Sequence, residues 1–112
     1  MSLRNQQTEF AKDVILLLQF CFDNGFDITI GEVWRTKYQQ TEYVRTGKSH
    51  TMNSNHLKKL AIDINFFYKG ELTYDYQTLK TVGEYWESLN EYNRWGGNFH
   101  NFKDTPHFER NL

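Results

Sequence analysis

The chain has little of several features that would define a function class. Its 112 residues include a single cysteine, Cys21, so no internal disulfide can form. Cys21 lies within an apolar helical pattern, and we expect it in the core. The 13 basic and 14 acidic residues leave a net charge of −1, which gives no overall attraction for phosphate or anionic lipid. We therefore expect neither nucleic acid nor a membrane as a partner.

Long apolar runs are also missing. The longest, residues 14–18, is too short to cross a bilayer. The N-terminus has no basic stretch, extended apolar region or small-residue cleavage site of the kind that marks an export signal. We expect the chain to stay in the cytoplasm unless another factor releases it. No repeat, linker or low-complexity tract divides the sequence, so we expect a single domain over 1–112, acting as a monomer.

What is present is a regular succession of helical and strand patterns. Apolar residues at helical spacing, with turn signals between them, predict helices over 10–22, 37–45 and 76–90. Alternating apolar residues predict strands over 26–30 and 62–66, and a strand-rich segment should follow "RWGGNF" at 94–99. The three tryptophans, Trp34, Trp86 and Trp95, are expected in the core. This order of elements predicts an α+β fold with a small antiparallel sheet and helices packed on one face.

The polar segment 46–56, "TGKSHTMNSNH", has no period and is predicted to be a loop, the part of the chain most typical of a site. His56 ends this loop, and Asp63 follows within the apolar strand. Seven strand residues would separate the two Cα atoms by about 23 Å, whereas ligands of one zinc ion bind at about 2 Å. If both residues bind one metal, the chain must turn within residues 57–60.

A third ligand and a proton acceptor can come from "KDTPHFE" at 103–109. Pro106 holds Thr105 extended and can introduce a bend, so Asp104 and His107 need not lie on opposite faces of a flat strand. His107 could then bind the metal while Asp104 faces the open coordination position.

These residues resemble a known family, the M15 zinc peptidases of the VanY and phage-endolysin type. The family motif S-x-H-x-x-G-x-A-x-D is matched at Ser54, His56, Ala61 and Asp63. The late D-x-P-H-F over 104–108 resembles the segment in which the family's catalytic acid precedes its third histidine by three positions.

Two further stretches resemble the family. "RWGGNF" is similar to a W-G-G turn before the last strands, and Arg35 in "VWRT" is similar to an arginine after the early strand. Two positions depart from the pattern. Lys59 stands where the family has glycine, and Asp104 stands where many relatives have glutamate.

The resemblance implies a hedgehog and DD-peptidase-like fold and a specific site. It implies Zn²⁺ held by His56, Asp63 and His107. Asp104 would then transfer protons, and Arg35 would bind an oxyanion or a substrate carboxylate. Beside these we expect Ser54 to orient a ligand, and His50, in the same loop, to face solvent or contact substrate. We expect His100 to face solvent.

The implied function is hydrolysis of short peptides of bacterial cell wall, either at an L-Ala–D-Glu bond or before a terminal D-Ala. Peptidoglycan would be the substrate of a phage or prophage lysin without a separate cell-wall-binding module; the sequence leaves a cellular origin open. An alternative is a zinc-containing module that binds peptidoglycan without turnover. A third reading, an HNH-like nuclease built on residues 50–56, lacks a basic surface and leaves residues 104–107 unexplained.

Overall fold

The computed structural model describes all 112 residues and contains three α-helices and five strands. The helices are α1 (Leu3–Asp23), α2 (Lys37–Arg45) and α3 (Tyr76–Leu89). The strands are β1 (Phe26–Ile30), β2 (Ala61–Tyr68), β3 (Glu71–Thr73), β4 (Asn93–Trp95) and β5 (His107–Arg110). The predicted α+β fold is confirmed, and so are the three predicted helices, although α1 begins earlier than its apolar pattern.

The strands form one antiparallel sheet in the order β1-β2-β5-β4, and β3 pairs with the other end of β2. Successive side chains of a strand point to opposite faces. Ile62, Ile64 and Phe66 therefore face the core and are buried, whereas Asp63 and Asn65 point to the other face. The central strand thus separates a packed apolar side from a polar side.

The two long helices cover the apolar face, and both begin at side-chain caps. Ser2 accepts a hydrogen bond from the amide of Asn5, and Asp75 accepts one from the amide of Thr78. The buried core comprises Phe10, Leu17, Cys21, Phe26, Leu60, Ile62, Ile64, Phe66, Leu79, Val82, Trp86, Trp95 and Phe108. None of the helices combines the length and apolar character that a membrane span requires.

The expectation that all three tryptophans are buried is wrong for one of them. Trp86 and Trp95 are fully buried, but Trp34 is 57% exposed. It lies in the irregular segment between β1 and α2, where no helix covers it, and the Lys59 ammonium sits 5.6 Å from the centre of its ring. The apolar pattern before Trp34 ends with β1, so burial does not continue to it.

Trp95 is the packing centre beneath the C-terminal segment. Its ring stacks on Tyr76 with centroids 5.2 Å apart, and its indole N–H donates to the Thr105 carbonyl at 2.8 Å. Gly83 of α3 and Gly97 lie directly against the ring, where an added Cβ would overlap ring atoms. Both glycines are therefore required by close approach to one tryptophan.

We predict that Gly83→Ala destabilises the protein by about 1–3 kcal/mol, because the new methyl group would overpack against a ring fixed on its other sides. Helix propensity alone would give the opposite sign, since alanine is favoured over glycine by about 1 kcal/mol. Thr81→Ala, at an exposed position of the same helix, should change stability by less than about 1 kcal/mol. Urea unfolding midpoints measure both. A stabilised Gly83→Ala variant would contradict this packing.

Candidate metal centre and cleft

An open cleft of about 760 Å³ lies on the polar face of the sheet. Residues of two loops, 48–54 and 98–104, line its sides, and only three of its 22 lining residues are hydrophobic. The loops contact each other where the rings of His50 and Phe102 meet edge to face, with centroids 5.1 Å apart. His56, Asp63 and His107 also line this cleft, so the residues singled out in two distant stretches of sequence come together.

Asp63 and His107 meet because of the register between β2 and β5. The two residues are directly paired across the strands, and such pairs place their side chains close together on one face. His107 Nδ1 lies 3.2 Å from Asp63 Oδ1. The apolar neighbours of the pair, Ile62 and Phe108, are opposed in the same register and point into the core.

His56 reaches the same point through a tight turn. A 3₁₀ turn over Asn55–Lys58 begins at Ser54, whose hydroxyl accepts the amide N–H of His56 at 3.2 Å. The turn ends at Lys59, which adopts a left-handed conformation with φ 58°. The turn predicted between His56 and Asp63 is therefore present. Lysine occupies a conformation that glycine adopts without strain.

The ring of His56 is fixed at both nitrogens. Its Nδ1–H donates to the Val33 carbonyl at 2.7 Å, and its Nε2 lies 3.4 Å from Asp63 Oδ2. The residue is only 2% exposed. The carbonyl can only accept, so Nδ1 carries the proton and the lone pair of Nε2 faces the cleft.

Two imidazole nitrogens and one carboxylate oxygen thus form a possible metal site. The ligand atoms of His56, Asp63 and His107 all lie within 4.8 Å of one another. Ligands at 2.0–2.1 Å in a tetrahedron are about 3.3 Å apart, close to the 3.2 and 3.4 Å that separate Asp63 from the two histidines. Two neutral imidazoles and a carboxylate are ligands that suit zinc. The residues therefore fit such an ion.

The second nitrogen of His107 contacts a carboxylate that faces the cleft from the same strand. His107 Nε2 lies 2.7 Å from Glu109 Oε1, and Arg94 donates to Glu109 Oε2 from Nε at 2.9 Å and Nη2 at 2.6 Å. Burial would lower the pKa of His107, but its hydrogen bonds to Asp63 and Glu109 raise it to about 9. Burial would raise the pKa of Glu109, but His107 and Arg94 lower it to about 2.

Asp63 and Asp104 share the cleft but differ in electrostatics. Burial alone would raise the pKa of Asp63, but the neighbouring rings of His107 and His56 hold it well below its usual range. Burial raises the pKa of Asp104, and although the charges of His107, His56 and Arg35 oppose this effect, the shift is upward. The metal-free cleft therefore holds one firmly ionised carboxylate and one that accepts a proton more readily.

The backbone of Asp104 is fixed by the turn that follows β4. Its amide donates to the Gly96 carbonyl at 2.9 Å, and its own carbonyl accepts the His107 amide at 3.0 Å. A Cβ at Gly96 would overlap the Asp104 carbonyl, so this position needs glycine for close approach. Within the "WGG" stretch, Gly97 therefore packs against the Trp95 ring, and Gly96 packs against the segment that carries Asp104.

Arg35 lines the cleft and is held from several sides. Its Nε donates to Glu32, and its Nη1 donates to Gln40 at 2.6 Å and to Ser54 at 3.4 Å. The guanidinium also lies 4.7 Å from the centre of the Tyr43 ring. None of its hydrogen bonds within the protein uses Nη2, which leaves that nitrogen for a ligand in the cleft.

Gln40 has a positioning role that the sequence did not reveal. It is the only buried residue of α2. Its amide oxygen accepts from Arg35, and its amide nitrogen donates to the Thr51 carbonyl at 2.6 Å and the Ser49 hydroxyl at 2.8 Å. Gln40 therefore joins Arg35 to the loop that precedes His56. A polar residue in a short polar helix gives no periodic signal, so the sequence pattern does not predict that Gln40 is buried.

The remaining predicted residues lie at or near the cleft. Ser54 contacts both Arg35 and the His56 amide, which fits a residue that orients a ligand. His50 lines the cleft and is exposed. His100 is also exposed, as expected, although it lies on the cleft wall.

The chain is similar to known proteins in sequence and in structure. A family model described as D-alanyl-D-alanine carboxypeptidase, from the M15 peptidases, matches residues 47–110. The L-alanyl-D-glutamate peptidase of Listeria phage A118 is 36% identical over 98 residues, which are 85% of this chain but 34% of that protein. The chain thus spans about a third of the length of this relative.

A solved structure is also similar over nearly the whole chain. The crystal structure of the Serratia marcescens L-Ala D-Glu endopeptidase ChiX superposes with a TM-score of 0.74 at 26% sequence identity. The match covers 96% of this chain and 82% of that one. The similarity therefore extends beyond the stretch that carries the cleft residues.

The raised pKa of His107 predicts that the metal-free protein loses stability as pH rises. A histidine of the unfolded chain titrates near 6.5, whereas folded His107 titrates near 9. Its contribution is therefore complete below about pH 6.5 and is lost as pH rises through about 9. Urea unfolding of chelator-treated protein should show a decrease on the order of 1 kcal/mol or more over this range.

Two variants test the source of this pH dependence. His107→Gln should abolish the decrease, whereas His100→Gln, which changes an exposed histidine, should retain it. A wild-type protein whose stability is flat from pH 6.5 to 9 would show that His107 is not held as an imidazolium between two carboxylates.

Proposed function

The chain belongs to the M15 family of peptidases, and we propose that it is a zinc-dependent peptidase that hydrolyses short peptides of bacterial cell wall. The observation that carries this proposal is the convergence of His56, Asp63 and His107 at 3.2–3.4 Å contacts in a polar cleft, with Asp104 in the same cleft. Peptidases of this type need a metal site and a separate proton acceptor, and the cleft offers both.

We assign the two histidines and Asp63 as the metal ligands, with His56 binding through Nε2 and His107 through Nδ1. A zinc ion bound there supplies a Lewis acid that acidifies water and polarises a carbonyl group. Ser54 and the Val33 carbonyl hold His56 in place by accepting from its amide and its Nδ1–H. Such contacts fix the ring orientation before any ligand arrives.

Asp104 is the proposed general base. Its carboxylate would take a proton from the attacking water and pass it to the leaving amine as the peptide bond breaks. A base works best when its pKa is near the working pH, and burial shifts the pKa of Asp104 in that direction. Arg35 would bind the oxyanion that develops on the scissile carbonyl, or a carboxylate of the substrate, through the nitrogen that its protein contacts leave available.

We propose the L-Ala–D-Glu bond as the first candidate for cleavage. The phage relative and the Serratia structure are both named for that bond, whereas the family model is described by D-alanyl-D-alanine carboxypeptidase activity. The phage relative also supports a phage or prophage lysin that acts on peptidoglycan. We propose that the chain works as a monomeric catalytic domain.

Digestion of purified peptidoglycan tests this function. The zinc-loaded protein should release peptides that begin with D-Glu, identified by mass spectrometry, and chelation followed by zinc addition should abolish and restore the cleavage. Release of terminal D-Ala alone would replace the endopeptidase assignment with a carboxypeptidase. A protein that binds zinc and cell-wall peptide but cleaves neither bond would be a binding module, and the proposed activity would be wrong.

Asp104→Asn tests the general base. It preserves the shape of the side chain but removes its ability to accept the proton, so we predict a loss of activity on the order of 10²–10⁴-fold with fold and zinc content unchanged. Asp75→Asn is the matched control, because asparagine caps a helix as well as aspartate does and Asp75 lies outside the cleft. Loss of zinc in Asp104→Asn would make Asp104 a metal ligand instead. Unchanged activity would assign proton transfer to another carboxylate.

A further inference from the structure

We propose that Glu109 and Arg94 are positioning residues that determine which nitrogen of His107 binds the metal. This inference rests on the metal site of the proposed function and extends it by two residues. Glu109 and Arg94 form a chain of contacts behind His107, on the side away from Asp63. Their role is to hold His107 with Nδ1 toward Asp63 and with a proton on Nε2.

The geometry around His107 carries this proposal. A neutral imidazole has one protonated nitrogen and one free lone pair, so a ligand histidine must carry its proton on the nitrogen that does not bind. Nδ1 faces Asp63 at 3.2 Å, and Nε2 faces Glu109 Oε1 at 2.7 Å. A carboxylate oxygen accepts but does not donate. Glu109 therefore favours the tautomer with Nε2–H and leaves the Nδ1 lone pair toward the metal site.

The contact between His107 and Glu109 is set by the sheet, because both residues belong to β5. Residues two apart on a strand point to the same face, so His107 and Glu109 of β5 both face the cleft. Across the next pair of strands, Arg94 of β4 is directly opposite Glu109. The positions of the three side chains relative to one another are thus set by the sheet, through alternation along β5 and through the register between β4 and β5.

Arg94 makes no hydrogen bond to His107 and reaches it through Glu109. It donates two hydrogen bonds to Oε2, which leaves Oε1 for His107. Both donors are charged, and hydrogen bonds from a guanidinium to a carboxylate are stronger than neutral ones, so they hold Oε2 in place. The side chain of Arg94 is 50% exposed whereas that of Glu109 is 6% exposed, so removal of Arg94 should have the smaller effect.

Zinc affinity, measured by competition with a chromophoric chelator at fixed pH, tests the proposal. Glu109→Ala should weaken zinc binding by about 10- to 100-fold, the usual effect of losing a carboxylate that orients a ligand histidine. Glu109→Gln should recover part of the loss, because an amide oxygen can still accept from Nε2–H. Arg94→Ala should weaken binding less, and it should have no further effect when combined with Glu109→Ala.

Asp13→Asn is the matched control. Asp13 accepts from Arg110 Nη2 at 2.9 Å, so the change removes an ion pair from the residue next to Glu109 on the same strand. The hydrogen bonds of the Arg110 side chain go to Gln6 and Asp13, and none goes to His107. The control should lower stability but leave zinc affinity unchanged. A parallel loss of zinc affinity in Asp13→Asn would mean that general weakening of β5, and not orientation of His107, explains the Glu109 effect.

Nitrogen-15 NMR of the zinc-loaded wild type gives a second measurement that does not depend on activity. Long-range proton–nitrogen correlations should show His107 with a protonated Nε2 and a metal-bound Nδ1. Zinc bound through Nε2 of His107, or a Glu109→Ala variant with wild-type zinc affinity, overturns the positioning role. The first result also changes the ligand atom assigned to His107, but the proposed zinc-dependent peptidase activity stands in both cases. A wild type that binds no zinc overturns both the positioning role and the proposed function.

Discussion

The pairing of Asp63 with His107 is the constraint on which the rest of the cleft depends. It is a register of two antiparallel strands, and a shift of one residue would turn every side chain of a strand to the opposite face. The same shift would move Ile62 and Phe108 out of the core, where both are buried. The free energy that buries the apolar face therefore also keeps the two polar side chains together. Core packing and site geometry are consequences of one alignment.

The C-terminal segment extends this dependence beyond the sheet. Between β4 and β5 the chain forms a loop outside the sheet. The Trp95 ring lies under this loop, and its indole N–H donates to the Thr105 carbonyl. The Asp104 amide is bonded to Gly96, directly after Trp95. Ile64 of the central strand donates to the Pro106 carbonyl at 2.9 Å, which restores the ladder just before His107. The backbone of Asp104 is thus fixed by the hydrogen bond to Gly96 before it and by the pairing of Pro106 with Ile64 after it.

The sequence predicted the elements well because their apolar patterns were long. α1, α3 and β2 each carry several apolar positions at one period, and the structure places the predicted residues in those elements. The turn after His56 was predicted by a different route, since two ligands of one metal cannot lie 23 Å apart on a strand. That constraint held even though Lys59 occupies a left-handed conformation suited to glycine.

The contacts around the predicted ligands could not be obtained in the same way. Gln40 joins Arg35 to the loop that precedes His56 through tertiary hydrogen bonds, which no local sequence pattern encodes. Trp34 is exposed, although tryptophan is highly buried on average. Glu109 and Arg94 are intermediate cases. Alternation along β5 places Glu109 on the face of His107, but its pairing with Arg94 requires the register between β4 and β5.

The two aspartates of the cleft show how one small site supports two different roles. Asp63 lies between the rings of two histidines, which keep its pKa low, whereas burial shifts the pKa of Asp104 upward. Carboxylates whose pKa values are moved apart by their surroundings are suited to separate roles in acid–base chemistry. The separation arises from position. Asp63 lies within the ladder, opposite His107, while Asp104 lies in the turn before β5, where its side chain gains burial but makes no hydrogen bond to a histidine. An acid opposite His107 in the ladder is therefore proposed as a metal ligand, whereas an acid in the turn three residues before His107 is proposed as the proton acceptor.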